Sequence, residues 1–375
     1  MGKRLIIHAG PAKSGTTTLQ DFCAAHRDPL LEAGILYPQF ARARAHHALA
    51  QALIESWNFN GRLQAFERLI EQSEQIAHDT ILLSAEGFAL AIQTCPWRME
   101  DFLQFWEARD YEVSIAAVIR PQRAMFESFY AQRVKSLQSS CRFAEHVRRE
   151  LATPALWGGA GLLQRPAPFK DRHFVFLPLN AELSAGLIEG FFAGLDLGGR
   201  LAGIPAEALT SQQNIRPSAK RIEVCRRLSA KRTDMYGPAP AGAFKWDWNR
   251  LGPMLGRVQE IEAQSGWMAQ PFRALTDALA ADIDARWSDV EEAFASREWG
   301  QSWQSVFGPP APIPEPTEFD PRHASAADKA EIREALRDAL SVKPDRAADD
   351  LRKRPGPWPR GPMPASGVLD SKDGG

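Results

Sequence analysis

The sequence predicts an α/β fold, a parallel sheet flanked by helices, with a Pro-rich tail at the C-terminal end. Short apolar segments alternate with longer amphipathic segments over about the first 300 of the 375 residues, a pattern typical of strands that alternate with helices. The apolar segments contain almost no polar residues, as expected for strands buried on both faces of a sheet. Twelve of the 27 prolines lie in the last 68 residues, and they mark the tail.

Five apolar segments are predicted to form strands. They are Arg4–Ala9, Ile35–Tyr37, Ile81–Ala85, Val113–Ile119 and His173–Leu177. Amphipathic periodicity predicts helices between and after them. These are Thr16–His26, Arg62–His78, Met99–Ala108, Gln122–Leu137, Glu182–Leu195, Ser218–Lys231 and Phe272–Phe294. The segment Thr233–Trp267 is rich in aromatic residues, proline and glycine, and no element is predicted there.

The proline distribution divides the chain into a domain at residues 1–307 and a C-terminal segment at residues 308–375. The sequence GPPAPIPEP at Gly308–Pro316 predicts an extended polyproline-type linker, because proline fixes φ and donates no backbone hydrogen bond. A short helix is predicted over Ser325–Leu340, where apolar residues recur at four-residue spacing. Beyond Val342 the chain is charged and then rich in proline and glycine, which predicts disorder.

The composition excludes several classes of protein. Lys and Arg number 45 against 46 Asp and Glu, and the net charge of −1 excludes the strong global basic field of a dedicated nucleic-acid binder. The four cysteines form no CxxC pair and the eight histidines show no ligand spacing, so no metal site is predicted. Apolar runs fall short of the roughly 20 residues that cross a bilayer, and the N-terminal apolar stretch is too short for a signal peptide. We expect a soluble, cytoplasmic protein.

A glycine-bearing loop, HAGPAKSGTTT at residues 8–18, connects the first predicted strand to the first predicted helix. Such a loop leaves several backbone N–H groups unpaired, and the dipole of the following helix adds partial positive charge at the same point, so this geometry binds phosphate. Gly10 and Gly15 have the spacing of a P-loop. Thr16, however, stands where nucleotide triphosphatases require lysine, and the lysine of this loop is Lys13.

The segment KSGTT at residues 13–17, preceded by HxG at residues 8–10, resembles the 5′-phosphosulfate loop of the sulfotransferase family. The family usually has proline directly before the lysine, whereas here Pro11 lies one position earlier. The resemblance implies 3′-phosphoadenosine 5′-phosphosulfate (PAPS) as the donor, a P-loop-type sheet and no metal. It also implies that Lys13 stabilises charge on the leaving oxygen. The residues that it assigns to the 5′-phosphosulfate end are Gly10, Lys13, Ser14, Gly15, Thr16 and Thr17.

A second element of the same family follows the strand predicted at Val113–Ile119. Arg120 ends that strand, Ser128 follows eight residues later, and Tyr130 lies two residues further on. In the family, an arginine and a serine at this spacing hold the 3′-phosphate of the donor. Arginine offers a planar fork of donors to phosphate and the serine hydroxyl adds one more. Helical periodicity places Ser128 opposite the apolar face of its helix, where it can meet a ligand or water.

A general base for the acceptor is expected near the carboxyl ends of the strands, where open α/β sheets bind their ligands. Glu86 follows the strand Ile81–Ala85, and Ser84-Ala85-Glu86 resembles a Ser/Glu element of bacterial sulfotransferases. His46 and His47 are rivals, because cytosolic members of the family use histidine. Glu86 is the first candidate, with His47 behind it.

The element QNIRPS at residues 213–218 also resembles bacterial members of the family, some of which close a late loop over the nucleotide. Arg216 or Lys220 would then contribute charge to a phosphate site, and the competing interpretation is a solvated basic helix start.

The sequence leaves the oligomeric state open.

These elements in order predict a PAPS-dependent sulfotransferase that acts on a hydroxyl or amine of a saccharide or another small, glycan-like acceptor. A P-loop small-molecule kinase and a non-catalytic nucleotide-binding protein are the alternatives. The identity of the acceptor stays open, because acceptor specificity resides in variable loops.

Overall fold

The computed structural model of the chain describes residues 2–11, 13–40, 43–54, 60–152, 160–164, 166–209, 216–236 and 248–342. The tail predicted beyond Val342 lies outside these ranges, as do residues 213–215 of the QNIRPS element.

One parallel sheet forms the centre of the fold, and it confirms the predicted α/β class. Five strands within the described ranges pair in the order β2-β3-β1-β4-β5. They are β1 (Lys3–His8), β2 (Ile35–Leu36), β3 (Thr80–Ser84), β4 (Tyr111–Ile119) and β5 (Phe174–Pro178). Each predicted strand is present, with ends shifted by at most two residues. Because β1 lies between β3 and β4, the loops that follow these three strands meet at one edge of the sheet.

Helices cover both faces of the sheet and continue beyond it. Those preceding β4 are α1 (Thr16–Ala25), α2 (Arg27–Glu32), α3 (His47–Ile54), α4 (Asn60–Gln75), α5 (Glu86–Thr94) and α6 (Pro96–Glu107). Between β4 and residue 209 lie α7 (Gln122–Lys135), α8 (Phe143–Ala152), α9 (Ala160–Leu163), α10 (Ala181–Ala185), α11 (Leu187–Gly194) and α12 (Ala206–Leu209). The remaining helices are α13 (Ala219–Tyr236), α14 (Trp248–Gln264), α15 (Asp277–Trp299), α16 (Trp303–Phe307) and α17 (Ala326–Ser341). Short 3₁₀ turns occupy Ala167–Phe169, Gly198–Leu201 and Trp267–Ala269.

Most of the predicted helices are present with ends shifted by up to five residues, and two of them change more than the others. The segment Glu182–Leu195 forms α10 and α11, because Gly186 between them has non-helical torsion angles (φ −137°, ψ 58°). The helix predicted over Phe272–Phe294 begins and ends later, as α15. The Thr276 side chain caps its first turn by accepting a hydrogen bond from a backbone N–H, and Gly300 ends it in the left-handed conformation.

The region without a predicted element contains α14, whose interior includes Pro253. Proline inside a helix removes one backbone hydrogen bond and crowds the preceding turn, so the sequence pattern disfavours a helix there. Packing compensates: Leu251, Met254 and Val258 of α14 are buried in a core formed with other helices.

Three apolar cores hold the fold together. The two faces of the sheet each have their own core: Ile7, Leu83 and Ile115 lie in one, and Ile6 and Leu82 lie in the other. Burial on both faces explains why the strands are almost continuously apolar in sequence. The third core, the helical core, is formed mainly by α7, α8, α13, α14, α15 and α17, with Phe272, Ala274 and Phe319 from the connecting segments.

The C-terminal helix α17 belongs to the helical core. Its residues Ile332 and Ala339 are fully buried there. The connection before it is also held in place, because the Thr317 N–H donates to the Arg273 carbonyl at 2.8 Å and Phe319 is buried. The helical core therefore includes residues on both sides of the predicted division at residue 308.

Candidate functional site

A cavity of about 640 Å³ lies at the carboxyl ends of β1, β4 and β5. In open α/β sheets this edge is where ligands bind, and the volume is in the range of small-molecule sites. Five of the residues singled out in the sequence line this one cavity: Lys13, Gly15, Arg120, Ser128 and Arg216. The loop after β1 and the helix after β4 are thus brought to a common space.

The loop after β1 ends where α1 begins, and this helix start is built to face an anion. Gly15 precedes the first helical residue in the left-handed conformation (φ 87°), no side chain caps the helix, and its first turn contains no acidic residue. A Cβ atom at Gly15 would lie 2.3 Å from Leu187 Cδ2. The torsion angle favours glycine, and a larger residue would also displace the Leu187 side chain. The uncapped amides and the helix dipole favour negative charge at this point.

Lys13 links the loop to the strand beside it. Its backbone is in the left-handed region (φ 73°), and its carbonyl accepts a hydrogen bond from Arg120 Nη1 at 3.0 Å. Burial lowers the pKa of the Lys13 ammonium, the Glu86 carboxylate opposes this shift, and Arg120 adds to it. Lys13 is thus a partly desolvated cation that makes no hydrogen bond or ion pair through its side chain among the described residues.

The other predicted loop residues do not line the cavity. Ser14 is fully buried and its hydroxyl donates to the Pro11 carbonyl at 2.7 Å, so its single proton is already in use. Thr16 is also buried, whereas Thr17 is exposed. Thr18, which no sequence prediction included, lines the cavity instead.

Gly10 and the residues beneath the loop form a buried polar network. A Cβ atom at Gly10 would lie 2.6 Å from His8 Nε2, so this position also requires glycine. His8 Nδ1 lies 2.8 Å from Ser84 Oγ, to which Gln20 Nε2 donates at 3.3 Å. Burial lowers the pKa of His8 to about 3, so the imidazole is neutral. The network ties together β1, β3 and α1 directly under the loop.

The helix after β4, α7, lines the cavity along one face. Ser128, Ala131 and Lys135 line it at positions separated by three and four residues, which is the spacing of neighbours on a helix surface. The Ser128 hydroxyl makes no hydrogen bond to another described residue. Arg216, which precedes α13, also lines the cavity and forms an ion pair with Glu127 at 3.1 Å.

Two carboxylates hold α7 in place, one from α15 and one from α7 itself. Glu291 of α15 is buried, and it accepts a hydrogen bond from the Gln122 N–H, in the first turn of α7, at 2.9 Å. Glu127 of α7 accepts hydrogen bonds from the backbone N–H groups of Ala274 (2.7 Å) and Leu275 (3.3 Å). These contacts fix the orientation of the helix that carries Ser128.

The candidate bases lie close to the loop but outside the cavity lining. Glu86 is the first residue of α5, and its Oε2 lies 3.6 Å from His47 Nδ1. Both side chains are partly exposed. Glu86 is also near enough to Lys13 to affect the pKa of its ammonium. The structure therefore groups Glu86 and His47 with Lys13.

His46 has a different environment from His47. It is buried, its Nδ1 accepts a hydrogen bond from the Ser84 N–H at 2.8 Å, and its Nε2 lies 2.9 Å from the Pro38 carbonyl oxygen. Burial lowers its pKa to about 4. With both ring nitrogens engaged, His46 has no free nitrogen to accept a proton from an acceptor.

Sequence reasoning did not assign Lys135, Thr18 or Glu127 to the site. The sequence could have indicated Lys135, since this residue lies seven positions after Ser128 on the same face of the predicted helix. Lys220, in contrast, forms ion pairs with Asp328 and Glu331 of α17, both at 2.7 Å.

Two further features concern the described residues as a whole. They contain no group of three or more His, Cys, Asp or Glu side chains that could hold a metal ion. Within the same ranges, no helix combines the length and the apolar character needed to span a bilayer.

Comparison with known proteins adds one similarity. No family model matches the sequence, and no curated protein matches it either. The crystal structure of a sulfotransferase from Alicyclobacillus acidocaldarius matches with a TM-score of 0.36 and 13% sequence identity. The match covers 63% of this chain and 96% of that chain.

Proposed function

We propose that this protein is a sulfotransferase that moves a sulfuryl group from PAPS to a hydroxyl or amine, with a saccharide or another small glycan-like molecule as acceptor. One observation carries the proposal: Lys13, Arg120 and Ser128, from two separate sequence elements, line a single cavity. A donor with phosphate at both ends needs two anion-binding groups within one nucleotide length. The charge of the cavity supports such a ligand, because four cations and one carboxylate line it.

The chain's own residues have distinct tasks in this proposal. The amides at the start of α1 bind the 5′-phosphate, and Arg120 with Ser128 binds the 3′-phosphate. PAPS supplies the reactive sulfuryl group when it binds. In the transfer, the bond from sulfur to the bridging oxygen breaks and a bond from sulfur to the acceptor oxygen or nitrogen forms. Lys13 stabilises the negative charge that develops on the bridging oxygen.

The acceptor loses a proton as it attacks, and Glu86 is the proposed base. Its carboxylate is partly exposed, so an acceptor can reach it, and it is close enough to Lys13 to act at the same reaction centre. His47, with Nδ1 3.6 Å from Glu86 Oε2, orients the carboxylate or serves as the second candidate base.

Nucleotide binding provides the first test. We expect adenosine 3′,5′-bisphosphate to bind in a calorimetric titration, with an affinity that magnesium does not change. ATP with magnesium is the matched probe for a kinase. Tight magnesium-dependent ATP binding without binding of adenosine 3′,5′-bisphosphate would overturn the proposal in favour of the kinase alternative.

Sulfuryl transfer provides the second test. The protein is incubated with radiolabelled PAPS and panels of saccharide, phenol and amine acceptors, and labelled product is measured. Glu86→Gln is expected to lower turnover while retaining nucleotide affinity. If no acceptor class is labelled although the nucleotide binds, the non-catalytic alternative is supported.

A further inference from the structure

The cavity contains more cationic charge than the two predicted phosphate elements account for. Lys13, Lys135, Arg120 and Arg216 line it, and Glu127 is the one carboxylate among the described lining residues. Glu127 is already engaged, since it pairs with Arg216 and accepts hydrogen bonds from two backbone N–H groups. Within the described part of the chain, Lys13, Lys135 and Arg120 therefore have no carboxylate partner.

Lys135 is the cation that no predicted element explains. It is the last residue of α7, two helical turns after Ser128 and on the same side. The charged and titratable groups that face it are Lys13 of the loop, Arg221 and Cys225 of α13, and Glu262 of α14.

Glu262 would be the natural partner of Lys135, but both of its oxygens are occupied. Arg221 Nη1 donates to Oε2 at 2.7 Å, and the Ser218 N–H donates to Oε1 at 2.7 Å. Burial raises the pKa of the Cys225 thiol to about 12, so Cys225 is neutral and offers Lys135 no negative charge. Lys135 thus lines the cavity as a half-buried ammonium, and the carboxylate that acts on it, Glu262, is paired with Arg221.

We propose that Lys135 is a further ligand of the donor nucleotide, which binds the same phosphate as Arg120 and Ser128 and takes up a proton when the nucleotide binds. This inference rests on the proposed function. It makes Lys135 a specificity-determining residue, because its contact exists only for nucleotides that carry a phosphate on the ribose as well as at the 5′ position.

The proton uptake follows from the environment of the ammonium group. Burial, followed by repulsion from Lys13 and Arg221, lowers the pKa of Lys135 to about 8. A phosphate dianion beside the group favours its charged form and raises the pKa again. At pH 8.5 a large share of the free protein therefore has neutral Lys135, and binding restores the proton.

Titration calorimetry tests this at pH 8.5 with adenosine 3′,5′-bisphosphate, in two buffers of different ionisation enthalpy. The wild type is expected to take up about half a proton or more per nucleotide bound. Lys135→Arg keeps the charge without titrating, so we expect affinity within about threefold of the wild type and a clearly smaller uptake.

Lys135→Met removes the charge and keeps an apolar stem of similar length. We expect its affinity for adenosine 3′,5′-bisphosphate to fall about 10- to 100-fold, while its affinity for adenosine 5′-monophosphate changes by less than about threefold. Lys170→Met, a change at an exposed lysine outside the cavity, is the matched control. Wild-type affinity in Lys135→Met, or undiminished proton uptake in Lys135→Arg, would overturn the inference.

Inorganic pyrophosphate separates this inference from the proposed function. If the wild type binds pyrophosphate through Lys135 but does not bind adenosine 3′,5′-bisphosphate, the sulfotransferase proposal fails, and the role of Lys135 in nucleotide binding fails with it. If the nucleotide binds and Lys135→Met has no effect, the proposal of function stands and the role of Lys135 fails. If neither anion binds, both are overturned.

Discussion

The loop after β1 and the helix after β4 line the same cavity with different chemistry. The loop offers the main-chain amides at the start of α1, and Lys13 is its one charged side chain. The helix after β4 contributes side chains, from Ser128 and Lys135, with Arg120 just before it. The loop is shaped by residues in the left-handed backbone conformation and by the buried contacts beneath it. The helix α7 is positioned instead by carboxylates, among them Glu291 of α15.

This difference predicts how each region responds to substitution. A site made of amides depends on backbone conformation and tolerates most changes of side chain, apart from Lys13 and the positions that must be glycine. A site made of side chains loses one contact with each truncation and also depends on the anchors of its helix. Four substitutions test this contrast.

Lys13→Ala should have the largest effect. Removing the cation that faces the developing charge is expected to lower kcat about 100- to 1,000-fold, with a smaller change in nucleotide affinity. Single-turnover transfer from labelled PAPS measures the first effect and calorimetry the second. A wild-type rate in Lys13→Ala would contradict the role given to this lysine.

Glu291→Gln tests the anchor of α7 through the pH dependence of stability. Burial raises the folded-state pKa of Glu291 to about 7 from an ordinary value of 4.5, so the folded chain binds this proton more tightly than the unfolded chain. The wild type should therefore lose up to about 3 kcal/mol from this group as pH rises from about 4.5 to 7. Glutamine keeps an oxygen for the Gln122 N–H without that loss.

Urea unfolding at pH 5 and pH 8 measures this effect. The free energy of unfolding of Glu291→Gln, relative to the wild type, should be higher at pH 8 than at pH 5. Asp289→Asn, at an exposed position of the same helix, is the matched control and should show no such difference. An equal difference between Glu291→Gln and the wild type at both pH values would show that Glu291 titrates normally.

Arg120→Ala should weaken nucleotide binding about 10- to 100-fold, because a charge-assisted contact to phosphate is lost. The substitution also removes the hydrogen bond to the Lys13 carbonyl, so the loop and the helix are affected together. Arg120→Lys keeps a positive charge but cannot offer the planar fork, and it should lie between the alanine variant and the wild type. Calorimetry with adenosine 3′,5′-bisphosphate measures all three. Equal affinities of the wild type and both variants would show that Arg120 does not bind the nucleotide.

Ser128→Ala should have the smallest effect, a loss of about fivefold in nucleotide affinity, since one neutral hydroxyl is removed. Adenosine 5′-monophosphate should bind the variant and the wild type equally. Ser136→Ala is the matched control: its hydroxyl bonds to the Gln132 carbonyl and lies outside the cavity lining. A similar loss in both variants would indicate a general effect on α7 rather than a contact to the ligand.

The prediction from sequence was most accurate where local patterns dominate. Each strand was located to within two residues because burial on both faces produces a continuous apolar run, whose length matches the strand. Lys13 and Arg120 were each expected after the end of a strand, and the order β3-β1-β4 brings those two ends together. The prediction was less accurate for the helical core, where α14 was missed and α15 was predicted five residues too early at each end.

The sequence by itself determined the parallel sheet, the glycine-bearing loop and the spacing from Arg120 to Ser128, because each depends on residues close together in the chain. Only the tertiary structure decided which polar groups stay free. His46 Nδ1 is engaged by the Ser84 N–H, and Lys135 is left unpaired since Arg221 occupies Glu262. Such pairing depends on contacts between residues far apart in the sequence, and no local pattern encodes it.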